Sequence, residues 1–490
     1  MGAGIAQVAA VAGHTVQLLD NRPQAAEDAI RSIRAQIAKL ADKGKLSTER
    51  AAQASANLVA ANKLPDLANA SLVIEAIVEN LQAKQALYAE LEGIVSDDCI
   101  FGTNTSSISV TAIGAVLKHP QRLAGLHFFN PAPVMALVEI VSGLATAPNV
   151  AATLFATATA WGKTAVHAKS TPGFIVNRVA RPYYGEALRL LTEGAADCAT
   201  LDAVMREAGG FRMGPFELMD MIGHDVNYAV TCSVWNAFYN DPRFMPSLVQ
   251  KELLDAGFLG KKNGRGFFDY REGANKPTAH TEATRPVPTS ITLCGESEAA
   301  GALAERLTAA NISFDRTASV DGRVAQVGST VLFVTDGRSA TRRAADTGIL
   351  NTVLVDLALD YRTSSRIALA SAAQSSLDAA DAAIGLLQAA GLQVSRLADI
   401  PGLAVMRTVA MLANEAADAV YQGVCSAQAA DAAMRLGVNY PKGPLAWADS
   451  VGLKNIHTVL RHLGCSYGED RYRVSPLIQQ QVFAGKPLHG

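Results

Sequence analysis

Residues 101–140 read FGTNTSSISVTAIGAVLKHPQRLAGLHFFNPAPVMALVEI, and the rest of the chain is organised around this stretch. It contains a Ser/Thr/Asn cluster, then His127, and then Glu139, twelve residues after the histidine. The pattern predicts one strand that ends in the polar cluster and two more that are joined by a proline-rich turn. An imidazole, a carboxylate that could orient it and hydroxyls that could hold an oxygen are the components of a proton-transfer site.

The composition is that of an ordinary globular protein of several domains. The chain has 490 residues, of which 49% are hydrophobic and 18% charged, and its formal net charge is −2. No basic block or acidic tail is present, so we expect neither nucleic acid nor a membrane surface as a partner. No apolar run reaches the roughly 18 residues that span a bilayer. The six cysteines include no C-x-x-C pair, which favours free thiols, a cytoplasmic location and no metal site.

The segment before this stretch resembles the later part of a dinucleotide-binding βαβ unit. Residues 1–13 predict a helix, and the strand that follows ends at Asp20, where an acid would hydrogen-bond a ribose. Gly2 would be the last glycine of G-x-G-x-x-G, so we expect the first strand and the first two glycines to be missing from a truncated or mis-set start. A helix, a strand and an acid in this order also occur in many other α/β proteins. Residues 24–62 predict an exposed helical hairpin.

The periodicity divides the chain into five parts. Residues 1–168 alternate helix and strand, which predicts an α/β Rossmann-type doubly wound sheet, mostly parallel, with helices on both faces. Residues 169–270 predict an all-α domain, and 271–289 predict a linker. Residues 290–400 return to a degenerate α/β pattern, and 401–490 predict a second all-α copy.

An internal repeat supports this division. PGFIVNR at 172–178 aligns with PGLAVMR at 401–407, and the offset of 229 then holds without a gap over nearly eighty residues. The second copy has Met406 where the first has Asn177, and the second α/β segment has no equivalent of HFFNP. We therefore expect the first half to carry the chemistry and the second half to be structural or closing.

Six motifs occur in order along the first half: IEAIVENLQAK, TNTSSIS, GLHFFNPAPVMALVEI, TPGFIVNR, MGPFEL and GKKNGRGFF. In these motifs the chain closely resembles the 3-hydroxyacyl-CoA dehydrogenase family over residues 1–270. Its full length is similar to the long bacterial members that act on 3-hydroxybutyryl-CoA or 3-hydroxyadipyl-CoA. The resemblance implies NAD as cofactor and an L-3-hydroxyacyl-CoA as substrate, in fatty acid β-oxidation or phenylacetate catabolism.

The resemblance also implies roles for individual residues. His127 would be the catalytic base and Glu139 the carboxylate paired with it, while Ser106 and Asn177 would contact the reacting oxygen or thioester. The cofactor-contacting positions would be Asp20, Glu79, Lys84, Ser106, Asn130 and Lys262. Lys43 would lie near the CoA moiety.

Structural interpretations stay open for each of these residues. In a purely structural interpretation, His127 would be a core histidine and Glu139 an edge-strand charge. Ser106 would be a helix cap, and Asn177 would be a polar group at the start of a helix. The lysines would then be solvated charges.

Asp20 favours NAD over NADP, because its charge would repel a 2′-phosphate.

Two further expectations concern the whole molecule. Because the start of the dinucleotide motif is missing, a catalytically silent binding or assembly protein is the alternative function. The duplicated helical domains are expected to pack on each other within one chain, and a homodimer is compatible with this pairing.

Overall fold

The computed structural model describes residues 1–275, 277–319 and 321–489. The chain forms two compact units, and the first comprises Met1–Arg178 together with Gln422–Val438. We call Gln422–Val438 the crossover segment, because it belongs to the second helical copy in sequence and to the first unit in space. Among the described residues, no helix has the length and apolarity needed to cross a membrane.

Helices and strands alternate as far as β7, and a second alternating region follows later in the chain. In chain order, the α-helices of the described residues are α1 (Gly2–Val11), α2 (Ala25–Asp42), α3 (Thr48–Ala56), α4 (Leu81–Glu92), α5 (Val110–Gly114), α6 (Pro148–Ala160), α7 (Val176–Val179), α8 (Arg181–Thr192), α9 (Cys198–Glu207), α10 (Pro215–Ile222), α11 (His224–Ala237), α12 (Leu248–Asp255), α13 (Glu298–Ala309), α14 (Ala340–Thr347), α15 (Leu377–Ala389), α16 (Val405–Tyr421), α17 (Ala427–Gly437), α18 (Pro444–Val451), α19 (Leu453–Tyr467) and α20 (Pro476–Ala484). The strands are β1 (Val16–Leu18), β2 (Leu58–Ala60), β3 (Leu72–Glu75), β4 (Ile100–Thr103), β5 (Leu123–Phe128), β6 (Leu137–Ser142), β7 (Thr164–Lys169), β8 (Thr292–Cys294), β9 (Asp315–Thr317), β10 (Arg323–Val327), β11 (Thr330–Val334), β12 (Thr352–Val355), β13 (Arg366–Ser371) and β14 (Gln393–Arg396).

The first unit is built on a five-stranded sheet in the order β3-β4-β5-β6-β7. Its strands pair in parallel except for β5 and β6, which run antiparallel and are joined by the proline-rich turn. Strands β5 and β6 are almost wholly buried, as their unbroken apolar runs predict. The Rossmann-type fold expected from the sequence is confirmed, and its antiparallel pair sets His127 directly opposite Glu139.

Strands β1 and β2 form a separate parallel pair beside helices α1, α2 and α3. The buried face of α2 carries Ile30, Ile33 and Ile37, whose spacing of three and four residues lines one side of a helix. The predicted helical hairpin is therefore present, but the prediction was wrong at its end, because Leu58–Ala60 is a strand. Three residues are too few to show a strand period within a helical pattern.

The second unit comprises Val179–Tyr421 and Asn439–Gly490. It contains a seven-stranded mixed sheet in the order β14-β13-β12-β11-β10-β8-β9, which is the degenerate α/β region expected from the sequence. The predicted linker carries neither helix nor strand in its described residues, yet it is attached to this region. Glu282 donates its backbone N–H to the carbonyl oxygen of Val394 at 2.8 Å.

The two helical copies contact each other inside the second unit through α8 and α16. Arg407 on α16 is fully buried, and its Nε donates to Glu186 Oε2 on α8 at 2.7 Å. Its Nη1 donates to Glu193 Oε2 at 2.8 Å. Because a buried guanidinium requires ionic and hydrogen-bonding partners, this cluster fixes how α8 and α16 pack.

Candidate active site

A histidine–carboxylate pair lies at the carboxyl end of β5 in the first unit. His127 Nδ1 is 2.6 Å from Glu139 Oε2, and both side chains are buried, with exposed fractions of 6% and 0% for the two residues. Two aromatic rings flank the imidazole, with centroids 4.5 Å away for Phe129 and 5.8 Å away for Phe174. A buried carboxylate at Nδ1 favours the tautomer that carries its proton there, which leaves Nε2 as the free base.

The second carboxylate oxygen of Glu139 is also occupied. Oε1 accepts backbone N–H bonds from Ile175 and Val176, each at 3.0 Å, where the chain enters α7. Phe174 has φ of +48°, which is unusual for a bulky residue and turns these two N–H groups towards the carboxylate. Glu139 is therefore held from both sides, and its rotation is restrained.

The polar cluster after β4 lies close to Asn177 in the same unit. Asn177 Nδ2 donates to the carbonyl oxygen of Ser106 at 3.3 Å. Glu79 anchors this loop, because its Oε1 accepts from the hydroxyl of Thr105 at 2.7 Å and from the backbone N–H groups of Ser106 and Ser107 at 2.9 and 3.0 Å. The structure thus brings Ser106, Asn177 and Glu79 into one cluster.

Glu79 is held ionised within this cluster. Burial by itself would raise the pKa of its carboxyl. The bonds from Thr105, Ser106 and Ser107 and the charge of Lys84 outweigh burial and lower that pKa to about 2. Because an ionised carboxylate accepts several N–H and O–H bonds at once, Glu79 fixes the shape of the loop.

Sequence reasoning missed one member of this network, Glu75 at the end of β3. Lys84, which is 1% exposed, donates its Nζ to Glu75 Oε1 at 2.5 Å and lies 3.3 Å from Glu79 Oε2. The hydroxyl of Thr103 donates to the other oxygen of Glu75 at 2.8 Å. Glu75 and Lys84 are nine residues apart, a spacing that points to no particular contact before the strand and helix are placed.

Asp20 follows β1 and lies at the surface. Arg22 donates to it from its backbone N–H at 2.9 Å and from its guanidinium Nε at 3.1 Å. The hydrogen bonds from Arg22 lower the pKa of the Asp20 carboxyl below its usual range. An ionised acceptor at the end of this strand has the chemistry required to bind ribose hydroxyls, so the residues present fit a dinucleotide.

Asn130 lies at the start of the turn between β5 and β6, where its side chain is exposed. Lys163 holds this turn, because its Nζ donates to the carbonyl oxygens of Ala132 at 2.6 Å and Met135 at 2.8 Å. Burial lowers the pKa of the Lys163 ammonium. Sequence reasoning gave no signal for this lysine, because its partners are backbone atoms.

The remaining two predicted residues are Lys43 and Lys262. Lys43 is exposed at the C-terminal end of α2. Lys262 belongs to the second unit, where its ammonium pairs with Asp225. Their proposed contacts with CoA and with the cofactor stay predictions.

The second half repeats the architecture of the site without its chemistry. The offset of 229 maps Val166, the β7 partner of Glu139, onto Ser395. Ser395 pairs with Ala368, whose carbonyl oxygen accepts the backbone N–H of Asp356 at 2.9 Å. Ala368 is therefore the equivalent of Glu139 in the second half, and Asp356 is the equivalent of His127.

Asp356 accepts the same kind of backbone bonds as Glu139. Its carboxylate accepts the backbone N–H groups of Ala404, Val405 and Met406 at 2.8–3.0 Å, at the offset equivalents of residues 175–177. Burial raises the pKa of this carboxyl to about 6. This copy has neither the imidazole of His127 nor, with Met406 in its place, the amide of Asn177.

A Rossmann-type sheet with a buried histidine–carboxylate pair at the end of a strand has the parts needed for NAD-dependent oxidation of an alcohol. The family model for the 3-hydroxyacyl-CoA dehydrogenase NAD binding domain matches residues 1–171. The C-terminal domain model of the same family matches residues 173–270 and 402–488, and the reduced Rossmann-fold domain of 3-hydroxybutyryl-CoA dehydrogenase matches 332–401. The chain belongs to the 3-hydroxyacyl-CoA dehydrogenase family.

Similar proteins extend this result over the whole chain. The 3-hydroxyadipyl-CoA dehydrogenase of Escherichia coli K12 is 45% identical over 484 residues, which cover 98% of this chain and 95% of that protein. A crystal structure of 3-hydroxybutyryl-CoA dehydrogenase from Escherichia coli K12 has a TM-score of 0.90 and 44% identity, covering 99% of this chain and 96% of the other. The 3-hydroxybutyryl-CoA dehydrogenase of Bradyrhizobium diazoefficiens is 36% identical over 278 residues, covering 57% and 94% of the two chains.

These matches support an NAD-dependent enzyme that oxidises 3-hydroxyacyl-CoA, and not the alternative of a catalytically silent binding protein. They agree with the activity, the cofactor and the fold that the sequence predicted.

Proposed function

We propose that His127 removes the hydroxyl proton of the substrate through Nε2 while Glu139 stabilises the imidazolium that forms. The observation that carries this proposal is the 2.6 Å contact between His127 Nδ1 and Glu139 Oε2 in a buried site. NAD supplies the acceptor for the hydride that leaves the same carbon. Since Glu139 Oε1 is occupied by two backbone N–H groups, its other oxygen stays directed at the imidazole.

We propose that Ser106 and Asn177 hold the reacting oxygen or the thioester. Support comes from the contact of Asn177 Nδ2 with the Ser106 carbonyl, which brings the Asn177 amide to the backbone of Ser106. The Ser106 hydroxyl lies 3.3 Å from Glu79 Oε1. We expect this hydroxyl to exchange that weak contact for the substrate oxygen, because Glu79 keeps its bonds to the backbone N–H groups of the loop.

For the cofactor, the proposed contacts are Asp20 at the adenosine ribose, Glu79 and Lys84 beside the loop, Ser106 and Asn130. Lys262 is a further proposed contact of the cofactor. Lys43 is the proposed contact of the CoA moiety. The fully paired state of Lys84 indicates that it acts by holding Glu79 and Glu75 in place.

The experiment is the reduction of a 3-oxoacyl-CoA by NADH, followed at 340 nm, in the wild type and in His127→Gln. Loss of the base is expected to lower kcat by at least about 100-fold, which is the usual range for general-base removal. NAD affinity, measured by calorimetry, should change less than about threefold, because His127 is not among the proposed cofactor contacts. Full turnover of His127→Gln would contradict the mechanism.

We propose 3-hydroxyadipyl-CoA as the preferred substrate, with 3-hydroxybutyryl-CoA as the second candidate. The likeness to a 3-hydroxyadipyl-CoA dehydrogenase over nearly the full length of both chains supports this choice. A matched pair of the same chain length tests it: 3-hydroxyadipyl-CoA against 3-hydroxyhexanoyl-CoA, which lacks the terminal carboxylate. A higher kcat/KM for the hexanoyl ester would reject the proposal.

For assembly and location, we propose a cytoplasmic enzyme that forms a homodimer. None of the six cysteines forms a disulfide, which supports a reducing compartment. Cell fractionation tests the first statement. Light scattering of the purified chain tests the second, and a monomer at micromolar concentration would reject it.

A further inference from the structure

The crossover segment belongs in sequence to the second half of the chain, which has no counterpart of His127. We call this the silent half. In space the segment belongs to the first unit, which contains His127 and Glu139. Its helix α17 packs against β6 and β7 of the first sheet, and Lys169 donates its backbone N–H to the carbonyl oxygen of Val424 at 2.9 Å. Strand β6 carries Glu139. Part of the second helical copy therefore lies behind the strand that holds the proposed catalytic carboxylate.

The equivalent part of the first copy is arranged in the same way within the second unit. Ala398 donates its backbone N–H to the carbonyl oxygen of Ala195 at 2.9 Å, which is the Lys169–Val424 bond shifted by 229 at both residues. Helix α9 packs against β13, as α17 packs against β6. Each helical copy thus supplies one helix to the sheet of the other half, as expected of a pseudo-twofold exchange.

At the end of α17, Gly437 packs closely against residues that adjoin the site. A Cβ atom at this position would lie 2.7 Å from Cδ2 of Leu137, 3.0 Å from Cγ2 of Val176 and 3.7 Å from Cε1 of Phe129. All three neighbours contact or adjoin the catalytic pair. Val176 donates its N–H to Glu139, the ring of Phe129 packs on His127, and Leu137 precedes Glu139 by two residues on β6.

The start of the crossover segment adds a second contact. Arg178, which follows the substrate-holding residue Asn177, is buried, and its Nη1 donates to Oε1 of Gln422 at 2.9 Å. The equivalent contact in the other half joins Arg407 Nη1 to Glu193 Oε2 at 2.8 Å. The crossover segment is therefore fixed at both ends to residues that adjoin the proposed site.

We propose that the crossover segment is a positioning element for the active site, in which the closely packed Gly437 sets the placement of Phe129, Leu137 and Val176 around His127 and Glu139. The second half of the chain thereby has a positioning role, because part of it holds the proposed base of the first half in place. The proposal rests on the roles proposed above for His127 and Glu139. A displacement of the order of 1 Å at such a site lowers rates by up to about 100-fold, so small shifts in packing are measurable.

The test compares Gly437→Val with Ala208→Val. Ala208 is the offset equivalent of Gly437, lies fully buried at the end of α9 and donates no side-chain bond to the first site. Both variants add volume to a buried helix end, but only Gly437→Val does so beside the histidine pair. We expect Gly437→Val to lower kcat by about tenfold or more with KM for NAD within about threefold, and Ala208→Val to keep kcat within about twofold of the wild type.

Two further measurements separate positioning from a loss of stability. The acid limb of the kcat–pH profile should move in Gly437→Val and not in Ala208→Val, because only the former disturbs the imidazole. Adding Leu137→Ala to Gly437→Val should restore much of kcat, since it removes the side chain that the valine displaces. If Gly437→Val fails to fold, Gly437→Ala adds a single methyl at the same place, and a smaller loss of kcat with the same change in pH profile is expected.

The proposal is overturned if Gly437 and Ala208 variants lose kcat equally, or if the loss follows thermal stability with an unchanged pH profile. His127→Gln, measured beside them, reports on the proposed chemistry. If His127→Gln were fully active, the proposed function would fall. If it were inactive while the two valine variants behaved alike, this inference alone would fall.

Discussion

Replacing Glu139 by glutamine separates catalysis from stability at this site. Glu139 makes three contacts: Oε2 with His127 Nδ1, and Oε1 with the N–H groups of Ile175 and Val176. Glutamine has nearly the same shape but only one acceptor oxygen. If that oxygen keeps the two backbone bonds, the amide NH₂ faces His127 Nδ1, which must then accept a hydrogen bond instead of donating one.

The imidazole would consequently carry its proton on Nε2, the nitrogen proposed to act as base. We expect kcat to fall by about 10³–10⁴-fold, or about 4–5.5 kcal/mol of transition-state stabilisation, as expected when an orienting carboxylate becomes an amide. The free energy of unfolding should change by only about 1 kcal/mol, because both backbone bonds persist. Glu139→Ala is the control: it leaves two buried N–H groups without this acceptor, at about 1–3 kcal/mol each.

The assay combines NADH-dependent reduction of a 3-oxoacyl-CoA at 340 nm with urea unfolding followed by circular dichroism. A kcat above one tenth of the wild-type value in Glu139→Gln would refute the tautomer argument. If Glu139→Gln lost as much stability as Glu139→Ala, the amide oxygen of glutamine would not have kept the two backbone bonds. These bonds, rather than the imidazole contact, would then be the ones that need a carboxylate.

Three other perturbations test the surrounding structure. Because the folded-state pKa of Glu79 is lowered to about 2, ionised Glu79 stabilises the fold above pH ~4.5. The difference in unfolding free energy between wild type and Glu79→Gln should therefore shrink as the pH falls from there towards about 2. A difference that does not depend on pH would contradict this expectation. Arg407→Ala removes the buried cation at Glu186 Oε2 and leaves Arg189 as the remaining cation beside that carboxylate, so urea unfolding should show a loss of up to about 3–5 kcal/mol, and a loss below about 1 kcal/mol would contradict the packing argument. Lys163→Met removes two bonds to the turn that carries Asn130, and calorimetry should show the Kd for NAD raised about tenfold, the equivalent of one charged hydrogen bond; an unchanged Kd would exclude that turn from the cofactor site.

The central pair could be predicted from the sequence because its geometry is local. HFFNP and LVEIV are short apolar strands separated by a proline-rich turn, so Glu139 could be expected beside His127 on the neighbouring strand, while the roles of base and paired carboxylate came from the resemblance to the family. The internal repeat could also be recognised from the sequence alone, because the two copies align at one constant offset without gaps. Its consequence for Asn177 and Met406 followed from the same alignment.

Other parts of the site depend on tertiary packing and leave no local signal. Glu75 reads as one acid in a buried strand, and its pairing with Lys84 exists only once α4 is packed against that strand. Lys163 bonds to carbonyl oxygens, which every residue possesses. The exchange of α9 and α17 between the halves was not predicted either, because the sequence shows two copies but not which sheet each helix covers.

The central claim is that His127 is the base of an NAD-dependent 3-hydroxyacyl-CoA oxidation. The most direct measurement is a single-turnover experiment at 340 nm with enzyme and NAD in excess over a limiting amount of 3-hydroxyacyl-CoA, comparing wild type with His127→Gln. The wild type should form NADH in one phase whose amplitude is limited by the 3-hydroxyacyl-CoA added. His127→Gln should bind NAD with similar affinity but form NADH at least about 100-fold more slowly. A His127→Gln rate equal to the wild-type rate would contradict the claim.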